Sequence, residues 1–127
     1  MFVPERYQVD RIAEAQARPF IELHHYAHSY PAGRFAYGLF DRWRDELVGV
    51  AVYGVPVNVA VLSVPFPELT PYEQSIELSR LTLVDDVPFN GESWFVARCQ
   101  HDLALAGIRG VVSFSDPLPR HLRDGRW

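Results

Sequence analysis

The chain has 127 residues, 48% of them hydrophobic, which predicts one globular domain over residues 1–127 and excludes both wholesale disorder and two domains of ordinary size. Its net charge of -4 at pH 7 excludes a chain that is basic throughout, the usual signature of a nucleic-acid binder. The one cysteine, Cys99, excludes an internal disulfide framework and is typical of a reducing compartment, and its apolar neighbours indicate a buried structural thiol.

The N-terminal residues lack the basic segment followed by an apolar run that marks a secretory signal. No apolar stretch of the sequence is long enough to span a membrane. We therefore expect a soluble protein of the cytoplasm.

The first periodic segment covers residues 10–28, where apolar side chains recur at three- and four-residue steps and predict a helix. Asp10 is the expected N-cap of this helix. Pro19 is expected to kink the helix or to split it in two, because proline removes one backbone donor from the helix interior.

After this helix the apolar pattern becomes that of strands. Residues 34–41 and 46–55 are predicted strands joined by a polar hairpin turn. Residues 57–64 form a third apolar run between two prolines, which we interpret as a further strand. Residues 75–84 alternate between apolar and polar side chains and predict a fourth strand.

A strand–turn–helix–strand unit completes the pattern. A helix is expected over about residues 91–106, ended by Gly107, and a last strand over 109–116. The fold class is therefore α+β, with a mixed, mostly antiparallel sheet flanked by helices. The sheet would finish on a strand with no return element, so we expect either a bare sheet edge or a chain that is incomplete at its C-terminus.

This order of elements is similar to that of the GNAT acyltransferase fold. In that fold the turn after the fourth strand presents backbone N–H groups to the pyrophosphate of an acyl-coenzyme A. The ends of helices suit such a role, because their first N–H groups are unpaired and carry partial positive charge. The turn here, residues 87–91, holds one glycine and lacks the usual glycine-rich signature.

Four segments in order, covering most of residues 21 to 117, resemble the Mom family of phage DNA-modification proteins. The segments are "HHYAHSYPAGR", "LVGVAVYGVPVN", "IELSRLTLVDDVPFNGESWFVAR" and "GVVSFSDP". Members of that family carry a His-Tyr-(Ser/Ala)-His segment after the first helix and an Asp-Pro at the end of the last of these strands. They normally continue into a glycine- and histidine-containing strand, so the resemblance indicates a member truncated at the C-terminus.

The resemblance implies modification of the N6 amino group of adenine in DNA to a carbamoylmethyl form, which protects phage DNA from restriction in the cytoplasm of the bacterial host. It further implies an acyl-coenzyme A or related acyl donor, and iron as a possible requirement of the family. Two alternatives stay open: a GNAT acetyltransferase of a small amine or a protein, and a non-catalytic binding or assembly module.

Three histidines at the end of the first predicted helix, His24, His25 and His28, form an H-H-x-x-H cluster. Two imidazoles four residues apart on a helix can bind a transition metal or supply a general base, and the alternative is a helix end with ordinary polar histidines. The resemblance favours His25 and Tyr26 as catalytic residues, and His25 with His28 as metal ligands.

Asp116 follows the last predicted strand and precedes Pro117. The ends of strands are common ligand sites, and a carboxylate there can accept an amine proton or orient a histidine. The alternative is an aspartate that starts a turn before proline. With the resemblance, Asp116 is expected to support catalysis and to lie beside His25 and Tyr26 at one end of the sheet.

The turn before the second predicted helix holds Asn90, Gly91, Glu92 and Ser93. Asn90 is a suitable N-cap, and Glu92 complements the helix dipole. Ser93 can donate to a phosphate or polarise an acyl carbonyl. We expect Asn90, Gly91 and Glu92 to bind the donor and Ser93 to act in catalysis, and helix capping is the alternative.

Arg80 lies on the predicted strand 75–84, on the face opposite to Glu77 and Ser79 by simple alternation. It can contact a phosphate of coenzyme A or DNA, or form a salt bridge at the rim.

Trp43 lies in the polar hairpin turn, where an exposed ring is able to stack on a flipped base; burial beneath the hairpin is the favoured interpretation. The candidate contacts to DNA phosphates are six arginines, with a charged loop as the alternative: Arg34, Arg42, Arg44, Arg120, Arg123 and Arg126.

Overall fold

The computed structural model describes residues 1–24 and 33–113. Within them the strands are β1 (Tyr7–Arg11), β2 (Gly33–Asp41), β3 (Glu46–Gly54), β4 (Ser75–Leu83) and β5 (Gly110–Ser113). The helices are α1 (Glu14–His24), α2 (Ala60–Ser63) and α3 (Gly91–Leu105), and a 3-10 turn at Pro4–Arg6 precedes β1.

The strands form one sheet in the order β1-β2-β3-β4-β5. The first four strands pair antiparallel, and β4 pairs with β5 in parallel through the crossover helix α3. The expected α+β fold with a mixed, mostly antiparallel sheet is confirmed. Among the described residues β5 is paired on the β4 side alone, so the incomplete C-terminus stays a prediction.

Helices α1 and α3 cover opposite faces of the sheet, because successive residues of a strand point to opposite sides. On β3, Val50 and Val52 belong to the cluster beneath α1, whereas Ala51 and Tyr53 belong to the cluster beneath α3. The larger cluster lies under α3 and includes Tyr7, Tyr37, Leu39, Ile76, Leu78, Phe95, Cys99 and Leu103. The sheet therefore lies between two apolar layers.

The predicted burial of Cys99 is confirmed, since its side chain is inaccessible to solvent within the α3 layer. Burial raises the pKa of the Cys99 thiol above its ordinary value, because the thiolate would lose its hydration there. The neutral thiol is a small apolar side chain that packs against the sheet.

Strand β1 is absent from the sequence prediction, which begins a helix at Asp10. The structure corrects this: Asp10 is a strand residue paired with Gly38, and α1 begins at Glu14. Proline does not split α1, because Pro19 lies inside one continuous helix. The buried stripe of α1 on both sides of Pro19 holds the helix against the sheet, and it consists of Ala17, Phe20 and Ile21.

The predicted strand over residues 57–64 is also wrong. Strand β3 ends at Gly54, and the apolar run forms the short helix α2, where the Asn58 side chain accepts a hydrogen bond from the Ala60 N–H at 2.9 Å. Leu62 is the buried residue of α2, while Val57 and Val64 are exposed. The prediction omits β1 and adds a strand at 57–64, so the number of strands before residue 75 is unchanged. Residues 75–83 are therefore the fourth strand, as expected.

The predicted end of the helix before the last strand is confirmed. Helix α3 ends at Leu105, and Gly107 follows with a φ of 100°, a left-handed conformation that suits glycine. The Ile108 N–H then donates to the Leu103 carbonyl at 3.0 Å, which closes the helix end. None of the described helices is long and apolar enough to cross a membrane.

A buried carboxylate joins β1 to the hairpin between β2 and β3. Asp41 is 1% exposed, and it accepts hydrogen bonds from Arg6 Nε at 3.0 Å and Arg6 Nη2 at 2.7 Å. Its Oδ1 also accepts from the backbone N–H groups of Trp43 and Arg44 at 3.0 and 3.2 Å. The Arg6 guanidinium is the main cause of a lowered pKa at Asp41, and the two backbone donors add to it.

We predict that Asp41→Ala lowers the free energy of unfolding by about 2 kcal/mol, because N–H groups of Arg6, Trp43 and Arg44 lose their acceptor. Urea unfolding measures this difference. Asp85→Ala is the matched control, since Asp85 is exposed, and it should change stability by less than about 0.5 kcal/mol. Equal effects of the two substitutions would contradict the role of Asp41.

The same pair predicts a pH dependence. Because the folded pKa of Asp41 is lowered, its contribution is fully present above the unfolded carboxyl value of about 3.9 and is lost as the pH falls through the folded pKa. The stability difference between the wild type and Asp41→Ala should therefore shrink below about pH 4. A difference that stays constant from pH 7 to pH 2 would contradict this expectation.

Candidate functional site

The first turn of α3 begins where the sequence places it. Asn90 occupies the N-cap position, but its side chain makes no capping hydrogen bond to the described residues. The Gly91 N–H donates to the Pro88 carbonyl at 2.8 Å, so this donor is already occupied. Ser93 turns its hydroxyl back and donates to the Asn90 carbonyl at 3.3 Å, and Glu92 is an exposed acidic residue of the first turn. The helix start is confirmed, and side-chain capping by Asn90 is not.

Gly91 is required by packing. It is buried, and a Cβ atom at this position would lie 2.4 Å from Val87 Cγ1 and 3.2 Å from Phe2 Cε1. A contact of 2.4 Å needs a movement of the chain, because the branched Val87 side chain is itself half-buried. The glycine therefore lets the 84–90 loop lie close against the start of α3.

A β-bulge interrupts β4 at Ser79. Val52 pairs with Arg80 and the next β3 residue, Tyr53, pairs with Leu78, so Ser79 is the extra residue. The bulge shifts the alternation, since Leu81 contacts the same cluster as Leu78 does.

The bulge changes the placement of Arg80. By alternation from Leu78 and Leu81, Glu77 and Arg80 lie on the same face of β4, away from α3, and not on opposite faces as simple alternation predicts. Arg80 is half-buried, and its Nη1 donates to the Ser79 carbonyl at 2.8 Å.

The bulge also lies where the parallel pairing stops. Strands β4 and β5 pair from Ser75 with Gly110 to Leu78 with Ser113, and Ser79 is the next β4 residue. The second half of β4, the 84–90 loop and the first turn of α3 then follow in the chain. Because a ligand of an open sheet commonly binds beyond the carboxyl ends of its strands, this end of the sheet is the candidate donor site.

Several predicted site residues lie outside the described residues: His25, Tyr26, His28, Asp116 and the tail arginines Arg120, Arg123 and Arg126. Their convergence at one end of the sheet therefore stays a prediction. His24, the last residue of α1, packs its ring on Phe20 with a centroid distance of 4.4 Å. Across residues 1–24 and 33–113, no group of three or more metal-binding side chains is found.

The arginines expected to contact phosphates differ in their surroundings. Arg44 is paired with Glu46 at 2.6 Å and with Asp86 at 2.7 Å, and Arg34 donates to the Tyr72 carbonyl. Arg42 is exposed and forms no salt bridge within the described part of the chain. Of the three, Arg42 is the most available to a ligand.

The favoured burial of Trp43 beneath the hairpin is wrong. Its side chain is 66% exposed, and the Arg6 guanidinium lies 5.0 Å from the ring centroid. The ring therefore presents one face to an arginine and keeps most of its surface in solvent.

A groove of about 470 Å³ lies between β1 and α3, and the sequence prediction misses it. Three of its lining residues are joined by hydrogen bonds: Tyr37 donates its hydroxyl to Asp102 Oδ2 at 2.6 Å, and Arg11 Nε donates to the same oxygen at 2.7 Å. Burial and the Asp102 carboxylate raise the pKa of Tyr37, while the Tyr37 hydroxyl and Arg11 lower the pKa of Asp102. Asp102 therefore stays ionised and Tyr37 stays protonated.

The sequence gives little indication of this groove, because the residues that line it are far apart in the chain. Arg11 and Asp102 are 91 positions apart, and the predicted helix wrongly begins at Asp10, so it takes in the last two residues of β1. The alternation of Tyr7 and Val9 with Gln8 and Asp10 is the pattern that predicts β1.

A comparison with protein families matches the model of the Mom protein family to residues 6–122. No curated protein matches the chain significantly.

Solved structures share the fold, and among them are two acetyltransferases. An aminoglycoside acetyltransferase from an uncultured soil metagenomic sample, in complex with sisomicin, has a TM-score of 0.61 at 11% identity and covers 95% of this chain and 85% of its own. An acetyltransferase of Trypanosoma brucei has a TM-score of 0.58 at 12% identity and covers 95% and 92%. An integron cassette protein of V. cholerae has a TM-score of 0.57 at 12% identity and covers 94% and 80%. These similarities confirm the expected GNAT-like fold.

We predict that Gly91→Ala lowers the free energy of unfolding by about 1–3 kcal/mol, the usual cost of overpacking, because the new methyl group collides with Val87. In a Val87→Ala background the same substitution should cost much less, since the colliding Cγ1 atom is absent. Urea unfolding of the four proteins measures the coupling. An equal cost in both backgrounds would contradict the packing explanation.

Proposed function

The chain belongs to the Mom protein family, and on that premise we propose that it modifies the N6 amino group of adenine in DNA, with an acyl-coenzyme A or related acyl donor. The observation that carries the proposal is the family match over residues 6–122 of this 127-residue chain. The acetyltransferase fold supports the use of an acyl donor.

The geometry near β4 supports one position for the donor. The pairing of β4 with β5 stops at Leu78, the bulge follows, and α3 starts after a short loop at the same end of β4. A helix start favours anionic groups, because its first N–H donors carry partial positive charge. We propose that this turn, Asn90, Gly91, Glu92 and Ser93, receives the donor's pyrophosphate.

The residues proposed near the donor differ in what they offer. The Gly91 N–H is bonded to the Pro88 carbonyl, so the N–H groups of Glu92 and Ser93 are better placed to donate. The Ser93 hydroxyl can rotate from the Asn90 carbonyl to a ligand oxygen, because its present bond is long at 3.3 Å. Arg80, on the face of β4 away from α3, is proposed to contact a donor phosphate.

The proposed reaction needs a base. The N6 nitrogen of adenine is a weak nucleophile, so its attack on the donor's thioester carbonyl requires removal of a proton, while the carbon–sulfur bond breaks and coenzyme A leaves as the thiol. We assign the base to His25, with Tyr26 beside it, and propose that Asp116 orients the imidazole and raises its pKa.

Iron is not assigned a role. Its expected ligands, His25 and His28, lie outside the described residues, and within the described part of the chain no three metal-binding side chains come together. The proposed residues act by positioning the donor and moving a proton, and no step runs through a metal.

The test is expression of the gene in a bacterium, followed by digestion of the DNA to nucleosides and mass spectrometry. We expect a new modified deoxyadenosine. Its mass distinguishes an acyl adduct on N6 from a carbamoylmethyl adduct, which a simple acyl transfer does not produce. A soluble protein that leaves all deoxyadenosine unmodified would overturn the proposal, and acetylation of free amines or proteins in its place would support the acetyltransferase alternative.

We predict that His25→Ala and Asp116→Ala each lower the amount of modified deoxyadenosine by about 100-fold or more, the usual contribution of a positioned acid or base. The matched controls are His24→Ala, since His24 packs on Phe20 one residue away, and Asp85→Ala, since Asp85 is exposed. Melting temperatures should be nearly unchanged in all four variants. Full modification by His25→Ala or by Asp116→Ala would end that assignment.

A further inference from the structure

A row of contacting rings and guanidinium groups runs from the β2–β3 hairpin to the flank of α3, with Phe2 and Tyr7 stacked and Phe2 and Trp94 tilted by 52°. Its consecutive distances are 5.0 Å from Trp43 to Arg6, 5.7 Å from Arg6 to Tyr7, 4.8 Å from Tyr7 to Phe2, 5.2 Å from Phe2 to Trp94 and 4.6 Å from Trp94 to Arg98. We call this set the stacked row. Tyr7 belongs to the α3 core cluster, and Phe2 and Trp94 pack against it, so the core fixes the middle of the row.

The end of the stacked row lies in the groove between β1 and α3. Trp94 is held from one side by Phe2, and the exposed Arg98 lays its guanidinium over the indole ring. A guanidinium over an indole ring leaves its other side open to a flat heteroaromatic ring, and nucleobases stack on arginine in this way.

The groove also presents positive charge. Arg42 lines it and forms no salt bridge within the described part of the chain, and Arg98 contacts Trp94 without an acidic partner there. An arginine fork binds phosphate in two-point fashion. The groove therefore suits a ligand that carries both a ring and a phosphate.

Two carboxylates on the same groove suit an amino group. Tyr37 and Arg11 both donate to Asp102 Oδ2. The Asp102 side chain is 41% exposed. Asp10 receives the Gln8 side-chain N–H on its own Oδ2 at 2.7 Å. The other carboxylate oxygens accept no hydrogen bond from the described residues, and an ionised carboxylate is a strong acceptor for N–H donors.

We propose that the groove between β1 and α3 binds a nucleoside phosphate whose base carries an amino group. The base stacks on Arg98, the amino group donates to Asp102 or Asp10, and the phosphate pairs with Arg42. The volume of about 470 Å³ lies within the usual range of about 300–1,000 Å³ for small-ligand sites. A polyamine fits the carboxylates but not the arginines, and an inorganic anion fits the arginines but not the carboxylates.

This site is separate from the proposed donor site and does not depend on acyl transfer. Strands β1 and β5 are opposite edges of the sheet. Three strand spacings separate β1 from β4, which is about 14 Å. None of the residues that line the groove is among those proposed to hold the donor, although Trp94 of the groove follows Ser93 of the donor turn in the chain.

The ligand has two possible sources, a free nucleotide and a nucleotide unit of a DNA strand. Calorimetric titration of the full chain with 2′-deoxyadenosine monophosphate tests the first, and titration with a single-stranded oligodeoxyadenylate tests the second. Each is repeated with Arg98→Ala, with Arg98→Lys and with Arg18→Ala, which removes an exposed arginine from α1 on the other face of the sheet.

We expect Arg98→Ala to weaken binding about tenfold, the effect of losing one base stack, and Arg18→Ala to leave it unchanged. Arg98→Lys should restore little, because an ammonium group keeps the charge and has no plane. Binding of the monophosphate identifies a free nucleotide, and binding of the oligonucleotide alone identifies a strand.

The amino group is tested with 2′-deoxyinosine monophosphate, or with oligodeoxyinosinate if the strand alone binds. The inosine base has a carbonyl where adenine has the amino group, so it should bind about tenfold more weakly, since the carboxylate would face an acceptor. Failure of both adenine probes to bind, equal affinity of Arg98→Ala and Arg18→Ala, or equal affinity for adenine and inosine probes would overturn the proposal. None of these outcomes depends on whether DNA is modified.

Discussion

The contact between Arg6 and the buried Asp41 carboxylate fixes the edge of the sheet on which the groove depends. A charge removed from water destabilises the fold unless its partners replace the lost hydration. Here the guanidinium fork and two backbone N–H groups of the hairpin turn supply that replacement. The same interaction aligns Tyr7 with Asp41 in the β1–β2 ladder, so the N-terminal segment and the hairpin turn are held by one carboxylate.

That constraint also explains the orientation of the stacked row. The Arg6 guanidinium donates hydrogen bonds to the Asp41 carboxylate and lies beside two rings, Trp43 and Tyr7. Because the carboxylate holds the guanidinium in place, the Trp43 ring contacts a cation at the surface while it remains exposed to solvent. The expectation that Trp43 is buried is wrong because its ring contacts Arg6 from another part of the chain. The sequence of the hairpin does not show this tertiary contact.

A strand or helix of this fold could be predicted from the sequence where it buries one or both of its faces, because burial leaves a long apolar or alternating pattern. Strands β2, β3 and β4 show long apolar or alternating patterns, and α3 is marked by turn residues before it and Gly107 after it. Strand β1 has five residues and ends on Asp10 and Arg11, so its alternation is short and merges with the helical pattern that follows. The run at 57–64 is apolar throughout, and such a run does not distinguish a strand from a helical turn.

The parts of the candidate site also differ in whether the sequence predicts them. The start of α3 follows from local chemistry, because a turn before an apolar helical pattern is readable in a few residues. The bulge at Ser79, which places Arg80 on the same face as Glu77, depends on pairing with β3 and leaves no local pattern. The groove depends on contacts such as Arg11 with Asp102, across 91 positions, and on a strand that the pattern hides.

Helix α3 connects the two regions physically. Phe95, Cys99 and Leu103 anchor one stripe of the helix in the core, and the same stripe fixes its rotation about its own axis. With the rotation fixed, the start of α3 at Gly91 lies near the end of β4, and Trp94, Arg98 and Asp102 line the groove beside β1. A close-packed core resists small rotations, because each would open voids or cause collisions. The turn proposed to hold the donor and the groove are therefore held in one geometry by the packing of a single helix.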